Sequence, residues 1–229
     1  MLTWVVNRRI PSALRFIPIA QRWGRLAGAV RQDDVSRHGG RVQTPYIVPR
    51  LAIRDGLVLR PWHNGDLPLV REAAEDSYIP LVSTVPSPYT YDGGVAFIAR
   101  QEERALSRTG YPFVMAEAEG DHGLGTIGLW PNAADEGRAS VGYWVAGSAR
   151  GRGIAAVALR VISSWALRDL GFERVELYVE PWNAASRKTA ATAGFTYEGL
   201  LRSWQPVGGE RRDMAAYSRI ATDLADIPE

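Results

Sequence analysis

The sequence predicts a mixed α/β (α+β) domain over residues 51–224, with about seven strands and about four helices. Three observations predict it. From residue 51 onward, stretches with the two-residue period of strands are interspersed with stretches at the 3.6-residue period of helices. Clusters of Gly, Pro, Asn and Asp punctuate them as turns. The composition, 46% apolar and 23% charged over 229 residues, suits a packed core.

The elements follow in order. Leu57-Val58-Leu59-Arg60 reads as the first strand, closed by Pro61. Asn64-Gly65-Asp66 offers a cap for a helix carrying Leu67, Leu69, Val70 and Ala73. Residues 76–92, rich in Pro, Tyr and Ser, read as a loop with room for a helical turn, and 93–108 as an amphipathic helix around Val95, Phe97, Ile98 and Leu106. A meander comes next, with strands at 112–116, 125–130 and 139–145. From Gly153 to Leu170, the apolar residues Ile154, Val157, Ala158, Val161, Ile162 and Trp165 recur at helical spacing, which predicts a long helix. Residues 174–180 alternate as a strand. Asn183 begins a helix that Gly194 closes, and two strands follow at 195–204 and 212–220. Residues 225–229 read as a tail.

Residues 1–50 stand apart. They carry nine arginines against Asp33 and Asp34, whereas the remainder holds 18 basic and 23 acidic residues. An Arg-rich, acid-poor segment fits a membrane-surface or targeting element. It equally fits a docking arm or an extension upstream of the natural start. Pro11 and Pro18 break any long amphipathic helix there, and 33–50 read as linker. Such an arm could also reach a second copy, so a homodimer is a candidate assembly. The mildly acidic body gives no reason to expect direct nucleic-acid binding.

Cysteine is absent, which removes disulfides, cysteine–zinc sites and covalent cysteinyl intermediates. Lys188 is the only lysine and follows no Gly-rich loop, so a P-loop is not expected. His38, His63 and His122 lack metal-ligand spacing and read as surface residues; no metal is expected. No apolar run approaches the roughly 18 residues of a spanning helix, and a cytoplasmic setting fits.

The most informative stretch is Arg150-Gly151-Arg152-Gly153-Ile154-Ala155, between a strand and the long helix. Its glycines allow a tight turn and close approach to a ligand. The helix start offers unpaired amides and a positive dipole end, a setting that receives a diphosphate, with two arginines adding charge. A glycine turn that merely starts a helix is the simpler alternative. The stretch also satisfies a Gly-x-Gly-x-x-Ala dinucleotide fingerprint, with Glu180 near the position of a ribose-binding acid. Against that stand the four residues separating strand from Arg150 and the 49 residues left after Glu180, too few for further βα units.

With Gly142-Tyr143-Trp144-Val145 ahead of this loop, Asn183-Ala184-Ala185-Ser186 about 30 residues beyond it, and a closing Ala193-Gly194-Phe195, residues 56–220 resemble the GNAT superfamily of N-acetyltransferases. Within it, they look like the branch acetylating N-terminal amines of ribosomal proteins. Thr192 departs from the acid or lysine common there. The resemblance implies a mostly antiparallel twisted sheet whose central strands splay, and acetyl-CoA as acyl donor for an amine acceptor. It implies that amides of Gly151, Arg152, Gly153, Ile154 and Ala155, beside Arg150, hold the diphosphate. Trp144 and Val145 would bond the pantetheine arm through their backbone, Asn183 would reach the thiol end, and Ser186 would protonate the leaving thiolate.

The chemistry asks for those groups independently: amine attack on a thioester needs a proton acceptor, carbonyl polarisation and a donor to sulfur. Asn183 and Ser186, three apart, share a helix face, although Asn183 equally serves as a helix cap and Ser186 as a first-turn polar residue. Glu117, Glu119 and Glu198 are candidates for the base, as is a water chain to solvent. Tyr89 and Tyr91 occupy the segment where the family builds its acceptor pocket. The acceptor is read as a protein N-terminus, with a small-molecule amine and an idle CoA-binding module as alternatives.

Overall fold

The computed structural model describes residues 48–53 and 56–224. Most of the basic extension and linker, His38 and the tail at 225–229 lie outside the described residues.

Eight strands form one sheet: β1 (Leu51–Ala52), β2 (Leu57–Arg60), β3 (Tyr111–Glu117), β4 (Gly123–Asn132), β5 (Asp135–Val145), β6 (Arg174–Val179), β7 (Thr196–Val207) and β8 (Glu210–Ile220). Five helices accompany it: α1 (Leu67–Glu75), α2 (Ile79–Val82), α3 (Tyr91–Leu106), α4 (Ile154–Arg168) and α5 (Ala184–Thr192). Beyond the expected numbers are the two-residue β1 and the single turn α2, the latter within the 76–92 loop that had room for a helical turn.

Spatial order is β1-β2-β3-β4-β5-β6-β8-β7. Neighbours run antiparallel except β5 and β6, which are parallel because α4 carries the chain back across the sheet. Cross-strand partners share a face, and the register Phe113↔Ile127↔Tyr143 places these residues together. Trp165 of α4 packs edge-on against Tyr111 and Phe113 at 5.3 and 5.7 Å, so this face belongs to α4. Trp144 points to the opposite face, where Trp62 lies 6.4 Å away and in turn meets Phe97 of α3 at 5.2 Å.

The local causes are visible. Helix α4 buries Ile154, Ala158, Leu159, Ile162, Ala166 and Leu167, and ends before Gly171 at φ 72°. Its tie to β8 is the buried Arg219, which donates to the Arg160 carbonyl at 3.1 Å and the Ser163 hydroxyl at 2.8 Å. Ahead of α1, the expected cap shifts by one residue. His63 Nδ1 accepts from the Gly65 amide, and Asp66 accepts from the His63 amide, each at 3.0 Å, a reciprocal box closing the turn Asn64–Asp66. Asp66 also pairs with the buried Arg60 through two 2.8 Å bonds. His63 is therefore a half-exposed capping residue, bonded as well to Asp121 at 2.9 Å.

Candidate functional site

Strands β5 and β6 pair only at Arg138↔Arg174, Ala139↔Val175 and Ser140↔Glu176. Beyond that point β5 continues to Val145, held by β4 alone through pairs such as Gly125↔Val145. Meanwhile β6 continues to Val179, held by β8 alone. The main chain of 141–145 thus faces a widening gap, and unpaired backbone groups there must find another partner. This is the splay that the sequence resemblance implied.

At the wide end of the gap lies the loop into α4. Gly151 and Gly153 adopt φ 80° and 75°, and a Cβ at either would meet no atom within 4 Å. Open, left-handed glycines suit a backbone approached from outside. Gly153 caps α4 without any side-chain hydrogen bond, and its carbonyl accepts from Ala156 at 3.1 Å. The amides of Gly153, Ile154 and Ala155 precede the first possible intrahelical bond and carry the positive end of the helix dipole. Both arginines expected to add charge are instead tied back. Arg150 donates to the Val145 carbonyl at 3.1 Å and to Asp76 at 2.6 Å, while Arg152 meets Glu117 at 3.1 Å. A diphosphate here would rest mainly on main-chain amides.

The start of α5 forms the opposite wall. The Asn183 Oδ1 accepts from the Ser186 amide at 3.0 Å, so the capping role is real. Its Nδ2 is buried without a partner. A buried polar atom left unsatisfied costs roughly 1–3 kcal/mol, so the Asn183 carboxamide at the head of α5 offers a donor that a ligand can complete. Ser186 is buried as well. Burial pushes the Tyr143 phenol up to about 12, opposed by the neighbouring Ser186 and Thr189 hydroxyls. A phenol so placed stays protonated and can donate. The donor set of main-chain amides, carboxamide and hydroxyls fits a CoA thioester, whose diphosphate, pantetheine amides and carbonyl all accept.

Other expected residues fall elsewhere. Glu198 accepts two bonds from Arg174 and one, at 2.7 Å, from Ser218, in line with the narrow, paired end of β5 and β6. The Arg174 guanidinium holds its carboxyl down at about 2, which fits an ionic tie between β6 and β7. Glu117 sits at the loop through Arg152, and Glu119 lies exposed in the β3–β4 turn. Tyr89 packs under Arg71 at 5.9 Å, and Tyr91 is exposed at the start of α3. Sequence reasoning gave Tyr143 no role beyond its place in the Gly142–Val145 stretch and considered Glu180 only for a ribose; the alternation along 174–180 could have flagged an acid on the face opposite α4 and α5.

An open sheet whose single parallel pair splays beside an amide-rich helix start defines a GNAT-type acetyltransferase domain. The Acetyltransferase (GNAT) domain model matches residues 56–196, and the chain belongs to this family of N-acetyltransferases. Among curated relatives, the N-acetyltransferase p20 of Bacillus licheniformis is 30% identical over 113 residues, 49% of this chain and 64% of its own length. The chain thus matches somewhat under two thirds of that relative. Mycobacterium smegmatis RimJ, solved with CoA-disulfide, superposes with a TM-score of 0.63 at 24% identity, over 79% of this chain and 90% of that one. The ribosomal-protein-S5-alanine acetyltransferase of Vibrio fischeri gives 0.63 at 19% identity, over 75% and 96%. These likenesses fix the fold. Among the described residues, no helix is long and apolar enough to cross a membrane.

Proposed function

We propose that this protein transfers acetyl from acetyl-CoA directly to an amine, with a protein N-terminus as the acceptor class. The observation that carries the reading is the parting of β5 and β6 beyond Ser140 and Glu176, beside the open amides of Gly153, Ile154 and Ala155. Acetyl-CoA supplies an activated acyl group when bound. The residues of this chain do the rest. The loop at 151–155 holds the diphosphate, with Arg150 bracing the loop from behind through Val145 and Asp76. The exposed main chain at Trp144 and Val145 orients the pantetheine arm as an added strand would be held. Asn183 Nδ2 reaches the thiol end while Oδ1 keeps its cap, and Ser186 gives its proton to the departing sulfur. Tyr143, protonated and buried beside Ser186, backs that donor.

The acceptor class rests on the RimJ and S5-alanine acetyltransferase likenesses, supported by the exposed Leu81, Trp182 and Trp204. Release of free thiol from acetyl-CoA, followed across small amines and peptides with free N-termini, tests it. Turnover restricted to peptides is expected. A protein that binds CoA yet releases no thiol with any amine is an idle module.

A further inference from the structure

Three carboxylates are buried among the described residues, and two of them have arginine partners. Asp66, 2% exposed, pairs with Arg60. Glu176, 5% exposed, pairs with Arg138 and Arg174. Asp76, partly buried, pairs with Arg150. Glu180 is also 5% exposed, yet its side chain meets no cation among the described residues, only the Tyr78 hydroxyl. A buried carboxylate without a positive partner is costly unless something else supplies the proton or the charge.

Its position says what that is. Glu180 follows the last residue of β6, four residues beyond the final β5–β6 pair, Ser140↔Glu176. The same four residues along β5 lead to Trp144, so by register Glu180 stands level with Trp144, across the open end of the gap. Along β6, Val175 and Leu177 share the α4–α5 face with Arg219 and Tyr217, whose side chains meet α4 and α5. Glu176, Tyr178 and Glu180 alternate to the other face. The Glu180 carbonyl also accepts from the Asn183 amide at 2.9 Å, so one short turn links this acid to the cap of α5. With the diphosphate loop and α5 on one face, an incoming amine has the other face to approach from. There Tyr78 donates to Oε2 of Glu180 and packs edge-on against Trp182 at 5.1 Å. The further charge acting on the Tyr78 phenol is Arg212 of β8, itself paired with Glu210 at 2.6 Å.

We propose that Glu180 is the residue that receives the acceptor's ammonium and takes its proton, a reading that rests on the proposed acetyl transfer. The acceptor arrives as R–NH3+ and gives one proton to Glu180. The nitrogen lone pair forms the C–N bond as the C–S bond breaks. The sulfur takes a proton through Ser186, which regains one from the nitrogen, and Glu180 returns its own to solvent. The products are the amide, the free thiol and one proton. Tyr78 holds the carboxylate in place and leaves Oε1 for the amine.

The experiment measures thiol release from acetyl-CoA by the full-length protein with three probes: octapeptides beginning with free Ser and free Ala, and 2-phenylethylamine. Glu180→Gln should lower kcat/KM for the acceptor by roughly 100-fold or more, with acetyl-CoA affinity within about threefold and an unchanged melt. With the two peptides its rate should climb toward the N-terminal amine's own pKa of about 8, because the amine must then arrive deprotonated, whereas the wild type reaches its plateau at lower pH. Glu180→Asp should fall between the two. Glu180→Gln activity within threefold of wild type, with the wild-type pH profile, overturns the inference and leaves acetyl transfer standing. Equal losses in Gln and Asp variants, or weakened acetyl-CoA binding, assign Glu180 to structure and overturn it too. A wild type that binds acetyl-CoA but releases no thiol with all three probes overturns the proposed function, and this role with it.

Discussion

The loop at 151–155, proposed to hold the diphosphate, gives the most quantitative prediction, Gly153→Val. At φ 75° an added Cβ meets no neighbour within 4 Å, so the penalty at that atom is conformational. Left-handed backbone costs an L-residue about 1–2 kcal/mol. The loop can accept that strain or turn Gly153 to negative φ and swing the first amides of α4 away. Stability then falls by at most about 2 kcal/mol, or roughly 4–8 °C in melting temperature for a domain of this size. Binding suffers more. Two amide bonds to a charged diphosphate are worth about 1.5–3 kcal/mol each, so their loss weakens CoA by roughly 100-fold or more at 1.4 kcal/mol per decade. Calorimetric titration of CoA into the folded variant, beside a thermal melt, separates the two effects. Affinity within threefold of wild type, with a lowered melt showing that the strain was felt, would refute the assignment of the loop to the diphosphate.

Three other outcomes are expected. Ser186→Ala should lower kcat by roughly 10- to 100-fold and leave the acetyl-CoA dissociation constant nearly unchanged; stopped-flow binding beside steady-state turnover distinguishes these. Asn183→Asp keeps an Oδ1 acceptor for the Ser186 amide but loses Nδ2, so the melt should hold while CoA affinity drops, whereas Asn183→Ala should lose both, including about 1 kcal/mol of cap. Glu198→Gln should cost about 1 kcal/mol at neutral pH once solvent screening at 39% side-chain exposure is allowed for. Because the Glu198 carboxyl is depressed from 4.5 to about 2 in the folded state, that contribution is present above pH 4.5 and disappears as pH falls through 2. Chemical denaturation of both proteins between pH 7 and pH 2 should show the two stabilities converging.

The elements with strong local signals were legible in the sequence. The apolar stripe of α4 and the glycines before it, the meander β3–β5, and Asn183 at the head of α5 stand where periodicity and capping chemistry put them. Strand β1 was not, because two residues carry no period, and α2 was legible only as room for a helical turn in 76–92, because one turn around Pro80 lacks a helical stripe. The site was legible in part. Glycines at 151 and 153 announce a backbone conformation, which is local. The directions of the Arg150 and Arg152 side chains depend on Asp76 and Glu117, far away in sequence, so the two charges read as free when they are paired. Glu180 was hidden for the opposite reason. Nothing in its own segment says that every arginine near the interior would be engaged elsewhere.

The parting strands have a bearing on how this chain has diverged. Peptide groups along the gap are common to all residues, so a guest held by them is read without regard to which side chains pack the sheet behind it. The M. smegmatis and V. fischeri proteins share this fold with three quarters or more of the aligned residues different. Under the proposed function, selection for a new acceptor then acts on Tyr78, Glu180 and Trp182, apart from the main chain assigned to the donor.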